Sequence, residues 1–214
     1  MPFYRDHVYP HLVSMLGNPK PIEEIRQRIV PLAQGNVLEI GVGPGVNFTH
    51  YDPARVSKVY ALEPNPGMIR RAEEQRRKSQ FDIEFLDLPG ERIPLADASV
   101  DTVVSTFTLC TTLGVVDAIR GIRRVLKPDG KFIFFEHGLS PDAGVRRWQE
   151  RLEPLFRWAF EGCHVTRDIR LSSRRVASKS SKWIGAISRR FRSRDHIVFG
   201  GFAHPKTLTR CLSE

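Results

Sequence analysis

Residues 36–45 constrain the fold of this chain more than any other segment. A short apolar run that contains an acid, Val-Leu-Glu-Ile, is followed at once by glycines at positions 41, 43 and 45. Such a run is typical of a buried parallel strand, and glycine allows a sharp turn where the backbone approaches a ligand. The glycine spacing does not fit the dinucleotide fingerprint. The segment therefore predicts a strand and a ligand-binding turn of another type.

A second apolar run, residues 58–63, also ends in an acid, Glu63, and residues 64–67 follow as a turn. In a doubly wound sheet, an acid at the tip of the second strand holds the ribose hydroxyls of a nucleoside ligand. The alternative is a tight glycine turn in an unrelated nucleotide-binding fold. The order of strand, acid, glycines, strand and second acid favours the nucleoside site.

The following residues alternate between strand and helix patterns. Strands that alternate with helices predict parallel βαβ units, and hence an α/β fold with a doubly wound, mostly parallel sheet, helices on both faces and a ligand at the carboxyl ends of the strands. The predicted elements are a helix over 68–79 after the N-cap Asn65, strands over 81–85, 100–107 and 131–136, and a helix over 115–126 that ends at a turn over 127–130.

Residues 39–45 and Glu63 together resemble the class I S-adenosylmethionine-dependent methyltransferases. The resemblance implies a seven-stranded Rossmann-like sheet with an antiparallel last strand, and S-adenosyl-L-methionine as cofactor. It also implies that Glu63 binds the ribose. Because Leu88-Pro89 stands where many members carry an acid, adenine is expected to contact the backbone near Gly90 and apolar groups, with Asp87 as the less favoured alternative. The implied cofactor-binding residues are Glu39, Gly41, Gly43, Gly45, Glu63, Pro64, Gly90, Glu91 and Thr106.

Four further motifs follow one another in the order seen in the branch of thiol S-methyltransferase-like proteins and small bacterial type 11 methyltransferases. This resemblance covers most of residues 3–169 and implies a small-molecule methyl acceptor that is a thiol, a lipid or quinone-like. The motifs are Leu109-Cys110, Glu136-His137-Gly138, Trp148-Gln149 and residues 162–168.

Methyl transfer from a sulfonium mainly requires that donor and acceptor be aligned and water excluded. A general base helps only when the acceptor still carries its proton, and His137 is the candidate, with a structural role as the alternative. Cys110 lacks an acyl-transfer constellation, so we expect it to line the pocket. Trp148 and Trp158 are expected in the core, or as walls of the acceptor pocket.

The length of the chain predicts one domain, which the resemblance implies to be a methyltransferase core with additions. We divide the chain into an N-terminal helical cap or lid (1–34), a cofactor-binding core (35–169), a basic segment (170–194) and a last strand with tail (195–214). Residues 110, 163 and 211 are cysteines without metal-ligand spacing, so no metal site is predicted. The reduced cysteines, the lack of a long apolar run and the N-terminus without a signal pattern predict a cytoplasmic protein. Nothing predicts an oligomeric state.

Residues 169–194 carry nine basic side chains and no acid, so the charge of this segment equals the net charge of the whole chain, +9. They could form an arm for nucleic acid or an anionic membrane surface, or a solvated tail. An arm would make the chain a basic nucleic-acid-binding protein on a Rossmann-like scaffold. However, Trp183 and Phe191 are the only aromatics there, whereas bases need stacking partners. Nucleic acid is therefore not expected as a partner, while peripheral membrane contact stays open.

A third interpretation is a shifted reading frame. With permissible codons, a frame displaced by two bases over residues 170–193 encodes an amphipathic helix and an alternating strand without a stop. The resemblance implies both elements at this position, and a strand over 196–203 resumes in the printed frame. We favour this interpretation over a basic arm.

The reading-frame hypothesis predicts that the nucleotides between codons 169 and 194 encode the helix and strand once the frame is displaced. A chain with the restored sequence should be more soluble, more heat-resistant and more active, because an exposed strand edge would be covered. Codons that cannot yield the alternate frame, or equal behaviour of the two chains, would contradict the hypothesis.

Overall fold

Five parallel strands form the centre of the protein. The computed structural model describes residues 4–16, 18–140, 142–167, 183–184 and 198–201. The strand order is β3-β2-β1-β4-β5, and all neighbours in this series are parallel. The α/β class predicted from the sequence is therefore confirmed. The strands are β1 (Gly35–Ile40), β2 (Val56–Leu62), β3 (Asp82–Leu86), β4 (Val100–Thr106) and β5 (Leu126–His137).

Helices follow three of these strands, and further helices precede the first. The Asn65 side chain caps the predicted helix after β2 by accepting from the Gly67 and Met68 amides at 2.8 and 3.2 Å. The Asp142 side chain caps the helix after β5 in the same way. The helices are a π-helical turn (Tyr4–Val8), α1 (Tyr9–Leu16), α2 (Lys20–Ile29), a 3-10 turn (Val30–Leu32), α3 (Pro66–Arg76), α4 (Val115–Val125) and α5 (Ala143–Ala159).

The sheet has an apolar core on each face because successive strand residues point to opposite sides. On one face, Val37 packs in a cluster with Ile29 of α2 and with Phe48. On the other face, Leu38 packs in a cluster with Ile122 of α4. All five side chains are at most 3% exposed, and burial of such a side chain contributes roughly 1.5–3 kcal/mol.

Helix α4 ends at Val125, within one residue of the prediction, but residues 127–130 belong to β5 and are not a separate turn before it. β4 pairs Val100 with Leu126 and then Thr102 with Lys131, so residues 127–130 bulge out opposite one residue of β4. An ion pair stabilises the bulge, since Nζ of Lys127 lies 2.7 Å from Oδ1 of Asp101. The Pro-Asp-Gly pattern predicts a turn after the helix, whereas it produces an irregularity within the following strand.

Two short segments lie along the free edge of β5. Trp183–Ile184 (β6) pairs parallel with Phe132 and Ile133, and Val198–Gly201 (β7) pairs antiparallel with residues 134–137. Because β4 occupies the other edge of β5, these two segments follow each other along one edge. The rest of the basic segment, 170–194, lies outside the described residues.

The first helices sit on α3 and α5. A Cβ placed on Gly67 would lie 2.2 Å from the backbone oxygen of Asp6, so the π-helical turn rests directly on the backbone at the start of α3. Arg70 donates to the same oxygen at 3.2 Å, and the Tyr4 hydroxyl donates to the carbonyl of Ala159 at 3.1 Å. Among the helices that the structure describes, none combines the length and apolar character required to cross a membrane.

Candidate functional site

A cavity of about 750 Å³ lies at the carboxyl ends of the parallel strands. This volume is in the range of small-molecule sites. Its lining comes from the loops after β1, β2 and β3, from the loops after β4 and β5, and from α5. Helices α1 and α2 cover it with side chains that include Tyr9, Val13 and Ile22. The cavity therefore lies where the parallel sheet predicts a ligand.

The glycine loop after β1 turns with positive φ angles that only glycine adopts readily. Gly41, Gly43 and Gly45 have φ values of 67°, 56° and 78°. A Cβ on Gly43 would meet no atom of the described residues within 4 Å, so this backbone lies open to the cavity. A Cβ on Gly41 would instead lie 2.1 Å from Oγ1 of Thr108. The two glycines thus have different tasks, exposure to the cavity at Gly43 and close packing at Gly41.

Glu63 connects the first two strand ends. Its Oε2 accepts from the Gly43 amide at 2.8 Å, and its Oε1 accepts from the Asn65 amide at 3.0 Å. The residue is 7% exposed and lines the cavity. The second acid of the sequence pattern therefore reaches the glycine loop, as the order of the motifs predicts.

Glu39 lies beneath the glycine loop and does not reach the cavity. Its Oε1 accepts from the Asn47 amide at 2.8 Å, and its Oε2 accepts from the Tyr51 hydroxyl at 2.7 Å. Burial raises the pKa of Glu39 to about 7, although both hydrogen bonds and the nearby Arg26 oppose this shift. Glu39 is thus placed to support the loop from below.

Arg26 of α2 brings a positive charge into the cavity wall. The residue is 4% exposed, and its Nη1 donates to Oδ1 of Asn47 at 2.7 Å and to Oγ1 of Thr106 at 2.8 Å. Its guanidinium also lies 5.7 Å from the centre of the Phe107 ring. Among the described residues its buried Nε has no hydrogen-bond partner. Arg26 therefore offers a cation and a free donor to an anionic group.

Next to Phe107, the cavity combines a histidine with two thiols. His137 ends β5, and its ring packs 4.7 Å from Phe107 and 6.4 Å from Phe156, measured between ring centres. The two cysteines of the branch motifs, Cys110 and Cys163, are buried beside it. The hydrogen bond from Cys163 and burial raise the pKa of Cys110 well above its usual value. A free thiol at position 110 is thus a poor nucleophile. The expectation that Cys110 lines the pocket is wrong, because this side chain is fully buried behind the lining residues His137 and Cys163.

Most of the predicted cofactor-binding residues line this one cavity. Glu39 is buried below it, and Gly45 packs on α3, since its Cβ would lie 3.0 Å from Cα of Ala72. Glu91 also accepts at 2.8 Å from the amide of Gly114, the residue that precedes α4. Those that line the cavity are Gly41, Gly43, Glu63, Pro64, Gly90, Glu91 and Thr106, together with the catalytic candidate His137.

Sequence reasoning missed Arg26 and Asn47. Arg26 stands in an ordinary amphipathic pattern among other charged residues, and only the packing of α2 on the sheet reveals that it is buried. Asn47 is fully buried and joins Glu39 to Arg26 and Thr106. Asn47 lies four positions after Gly43, and a polar residue at that position carries no distinctive sequence signal. The uncharged amide between buried charges is recognisable only in three dimensions.

The expectation that Trp148 and Trp158 belong to the core is wrong. They are 61% and 78% exposed, because α5 turns them away from the sheet. Trp148 lies under the guanidinium of Arg151, 5.7 Å from its ring centre. Trp158 also lines the cavity, as the alternative interpretation of a pocket wall had it.

The raised pKa of Glu39 predicts a pH-dependent stability. Because the folded protein holds this proton more tightly than the unfolded chain, the stabilisation is complete below about pH 4.3 and is lost as the pH rises through about 7. The free energy of unfolding of the wild type should fall over that range by up to roughly 3 kcal/mol more than that of Glu39→Gln. Urea unfolding at several pH values measures both slopes.

The matched control for this measurement is Glu84→Gln, which removes a half-exposed carboxylate on β3 that pairs with Lys58. Its slope should follow that of the wild type. Equal slopes for the wild type and Glu39→Gln would contradict the pKa assignment.

Comparisons with known proteins agree with this geometry. Residues 38–134 match the family of the methyltransferase domain described as Methyltransf_11. The chain is 36% identical to rat thiol S-methyltransferase TMT1B over 137 residues, which are 62% of this chain and 55% of the rat protein. It is 48% identical over 106 residues to ubiquinone/menaquinone biosynthesis C-methyltransferase UbiE of Rubrivivax gelatinosus, covering 50% of this chain and 41% of that protein.

Among solved structures, the YcgJ protein from Bacillus subtilis is similar, with a TM-score of 0.51 and 26% identity over 58% of this chain and 52% of the other. The chain spans about half the length of the curated relatives named above. The resemblance indicated by the glycine loop and the paired acids is confirmed by the match of residues 38–134 to this methyltransferase domain.

Proposed function

We propose that this protein is an S-adenosylmethionine-dependent methyltransferase that acts on a small-molecule acceptor. The observation that carries the proposal is the hydrogen bond of 2.8 Å between the Gly43 amide and the Glu63 carboxylate at the wall of the cavity. It brings together the loop and the acid that a nucleoside ligand needs. The match to a methyltransferase domain supports the same reaction class.

The residues around Gly43 fit S-adenosylmethionine in two respects. The backbone at Gly43 is open to the cavity, so a ligand can approach it more closely than a side chain at this position would allow. The buried Arg26 Nε, without a partner among the described residues, provides a donor for the carboxylate of the methionine part. Glu63 would hold the ribose hydroxyls, and the backbone near Gly90 would contact adenine.

The chain's own contribution to the reaction is alignment and the exclusion of water. When bound, S-adenosylmethionine supplies an activated methyl group. Helices α1 and α2 cover the cavity with Tyr9 and Ile22, which keeps the bound ligands away from solvent. His137 is placed among aromatic rings and is the candidate to take a proton from an acceptor that still carries one.

Thiols are the first acceptors to test. The relatives bear names that refer to thiols in one case and to a quinone in the other, and lipid acceptors remain in the same proposal. The cavity wall includes Phe107, Phe156 and Phe160, which favours an apolar molecule. A labelled-methyl assay with thiols, phenols, amines and lipids tests this proposal. A cytoplasmic location stays a prediction.

The seven-stranded sheet is likewise a proposal. We infer that the complete seven-stranded sheet forms only when the displaced reading frame is restored, so that a helix and a full sixth strand take the place of residues 170–194. Support comes from β6 and β7, which share one edge of β5 and do not lie side by side. The codon test given above distinguishes the two frames.

The Glu63 carboxylate should be required for cofactor binding. Glu63→Ala removes an acceptor of ribose hydroxyls and also frees the Gly43 amide, so the affinity for S-adenosylmethionine should fall by roughly 1–3 kcal/mol. Isothermal calorimetry measures the affinity, with NAD expected to bind far more weakly. Glu84→Ala, on the surface of β3, should bind like the wild type. Unchanged binding by Glu63→Ala, or comparable binding of NAD, would refute the assignment.

Two glycine variants should separate packing from ligand approach. Gly41→Ala and Gly43→Ala share the strain of a positive φ, but only the first places a Cβ against Thr108. We expect Gly41→Ala to lose more stability, by roughly 1–3 kcal/mol, and Gly43→Ala to lose more affinity for S-adenosylmethionine. Thermal unfolding and calorimetry measure the two effects. The reverse assignment of losses would contradict the open position of Gly43.

A further inference from the structure

Three motifs that lie far apart in the sequence meet at the wall of the cavity. The Sγ atoms of Cys110 and Cys163 are 3.6 Å apart. Nδ1 of His137 lies 3.5 Å from the first sulfur and 3.3 Å from the second. The three side chains come from the loop after β4, the end of β5 and the loop after α5. They form the one group of three potential metal ligands found among the described residues.

We propose that Cys110, His137 and Cys163 bind a zinc ion. In tetrahedral zinc sites the bonds are about 2.3 Å to sulfur and about 2.0–2.1 Å to nitrogen, which separates ligand atoms by about 3.8 Å (S···S) and about 3.5–3.6 Å (S···N). The three separations in this protein match those edges to within about 0.3 Å. The side chains thus already outline three corners of a zinc tetrahedron.

The donor set selects a soft or borderline metal. Two sulfurs and one imidazole suit zinc, whereas magnesium and calcium require oxygen ligands. A zinc ion would also neutralise two thiolates that are otherwise costly to bury, since Cys110 and Cys163 are 0% and 3% exposed. The charge of the ion and its two thiolates sums to zero, which suits the apolar surroundings.

Hydrogen bonds hold the loops that carry both sulfurs. Oε2 of the buried Glu136 accepts from the Cys110 amide at 3.2 Å, and its Oε1 accepts from the Ser105 hydroxyl at 2.7 Å. The two cysteine loops are joined directly, because the His164 amide donates to the Cys110 carbonyl at 2.9 Å. Such supporting contacts orient metal ligands and tune their affinity. The site is therefore preorganised on both sides.

The proposed ion would have a fourth position directed to an exogenous ligand. Zinc sites with three protein ligands and one open position are typical of catalytic zinc, whereas structural sites have four protein ligands. His137 and Cys163 line the cavity, whereas Cys110 is behind them. The described residues add no fourth acid, histidine or cysteine to the group. The open corner is consequently available to a molecule in the cavity.

We assign this position to the sulfur of a thiol acceptor, an assignment that rests on the proposed methyltransferase function. The thiol would lose its proton to water outside the cavity and bind as the thiolate, so that a zinc–sulfur bond replaces a zinc-bound water with no change of oxidation state. The bound thiolate remains the nucleophilic form of the acceptor. For a thiol acceptor, His137 then serves as a metal ligand in place of the general-base role given above. Phe107 and Phe156 beside it keep the site apolar and dry.

The test begins with the metal alone and the complete chain. Protein purified under reducing conditions should retain or take up one zinc ion, measured by elemental analysis. After replacement by Co²⁺, the absorption spectrum should show thiolate-to-cobalt charge transfer and the intense bands of tetrahedral cobalt. Cys110→Ser and Cys163→Ser should each weaken zinc binding at least about tenfold. Glu84→Gln, on β3 at the other edge of the sheet, should bind zinc like the wild type.

Three results would overturn the metal site, and all can be read on the wild type without any variant. They are failure to bind stoichiometric zinc, a cobalt spectrum without thiolate bands, and a Cys110–Cys163 disulfide in the freshly isolated protein. Equal zinc affinity of the folded Cys163→Ser variant would also reject it.

A second titration tests the acceptor position. Thiophenol added to the cobalt-loaded protein should shift the cobalt bands, and phenol at the same concentration should not. If the thiolates bind cobalt but thiophenol does not shift the cobalt bands, the fourth position does not bind the thiol acceptor. Calorimetry of the wild type with S-adenosylmethionine is independent of both readouts. If the protein does not bind S-adenosylmethionine, the proposed function is rejected. If it binds S-adenosylmethionine but no zinc, only the metal site is rejected.

Discussion

The side chain of Asn47 holds the cofactor end of the protein together. Its oxygen accepts from Arg26 of α2, while its nitrogen donates to Glu39 of β1 and to Thr106 of β4. An amide can do this because it is donor and acceptor at once and carries no charge. It links a buried cation and a buried carboxylate without bringing them into a tight ion pair. The sheet, the covering helices and the glycine loop all depend on this one contact point.

Much of the fold and one end of the site could be predicted from the sequence. Apolar runs and the acids at their ends located β1 and β2, because a parallel strand buried on both faces has a simple pattern. The glycine loop and Glu63 were predicted to meet because carboxyl ends of neighbouring parallel strands share one edge of the sheet. Residues 127–130 were misassigned, because a turn pattern also fits a bulge within a strand.

The remaining features depend on tertiary packing. Burial of Arg26 depends on the angle at which α2 lies on the sheet, and the exposure of Trp148 depends on the rotation of α5. The group of Cys110, His137 and Cys163 was missed because metal-ligand spacing was sought along the chain. Its members are separated by whole secondary-structure elements. Only the return of the chain after α5 to the loop after β4 brings the second sulfur to the first.

Two parts of the cavity wall differ in their chemistry. Around Gly43, backbone amides, a carboxylate and a guanidinium present polar groups whose positions are fixed by hydrogen bonds. Around His137, thiols and an imidazole lie among phenylalanine rings. The Phe107 ring joins the two parts, since it contacts both the Arg26 guanidinium and the His137 ring. A polar donor molecule and an apolar, soft acceptor would thus lie side by side, each against the surface that suits it.

The contact at Gly67 makes the π-helical turn and α1 a separable part of the molecule. The turn rests on the backbone at a residue that has no side chain, and no described residue of 4–16 belongs to the core cluster that Ile29 of α2 joins beneath it. A methyl group added at position 67 would collide with Asp6 and Pro10 and displace the turn and α1, whereas α2 stays anchored in the core. Access to the cavity past α1 would thus vary while the packing of the sheet stays the same.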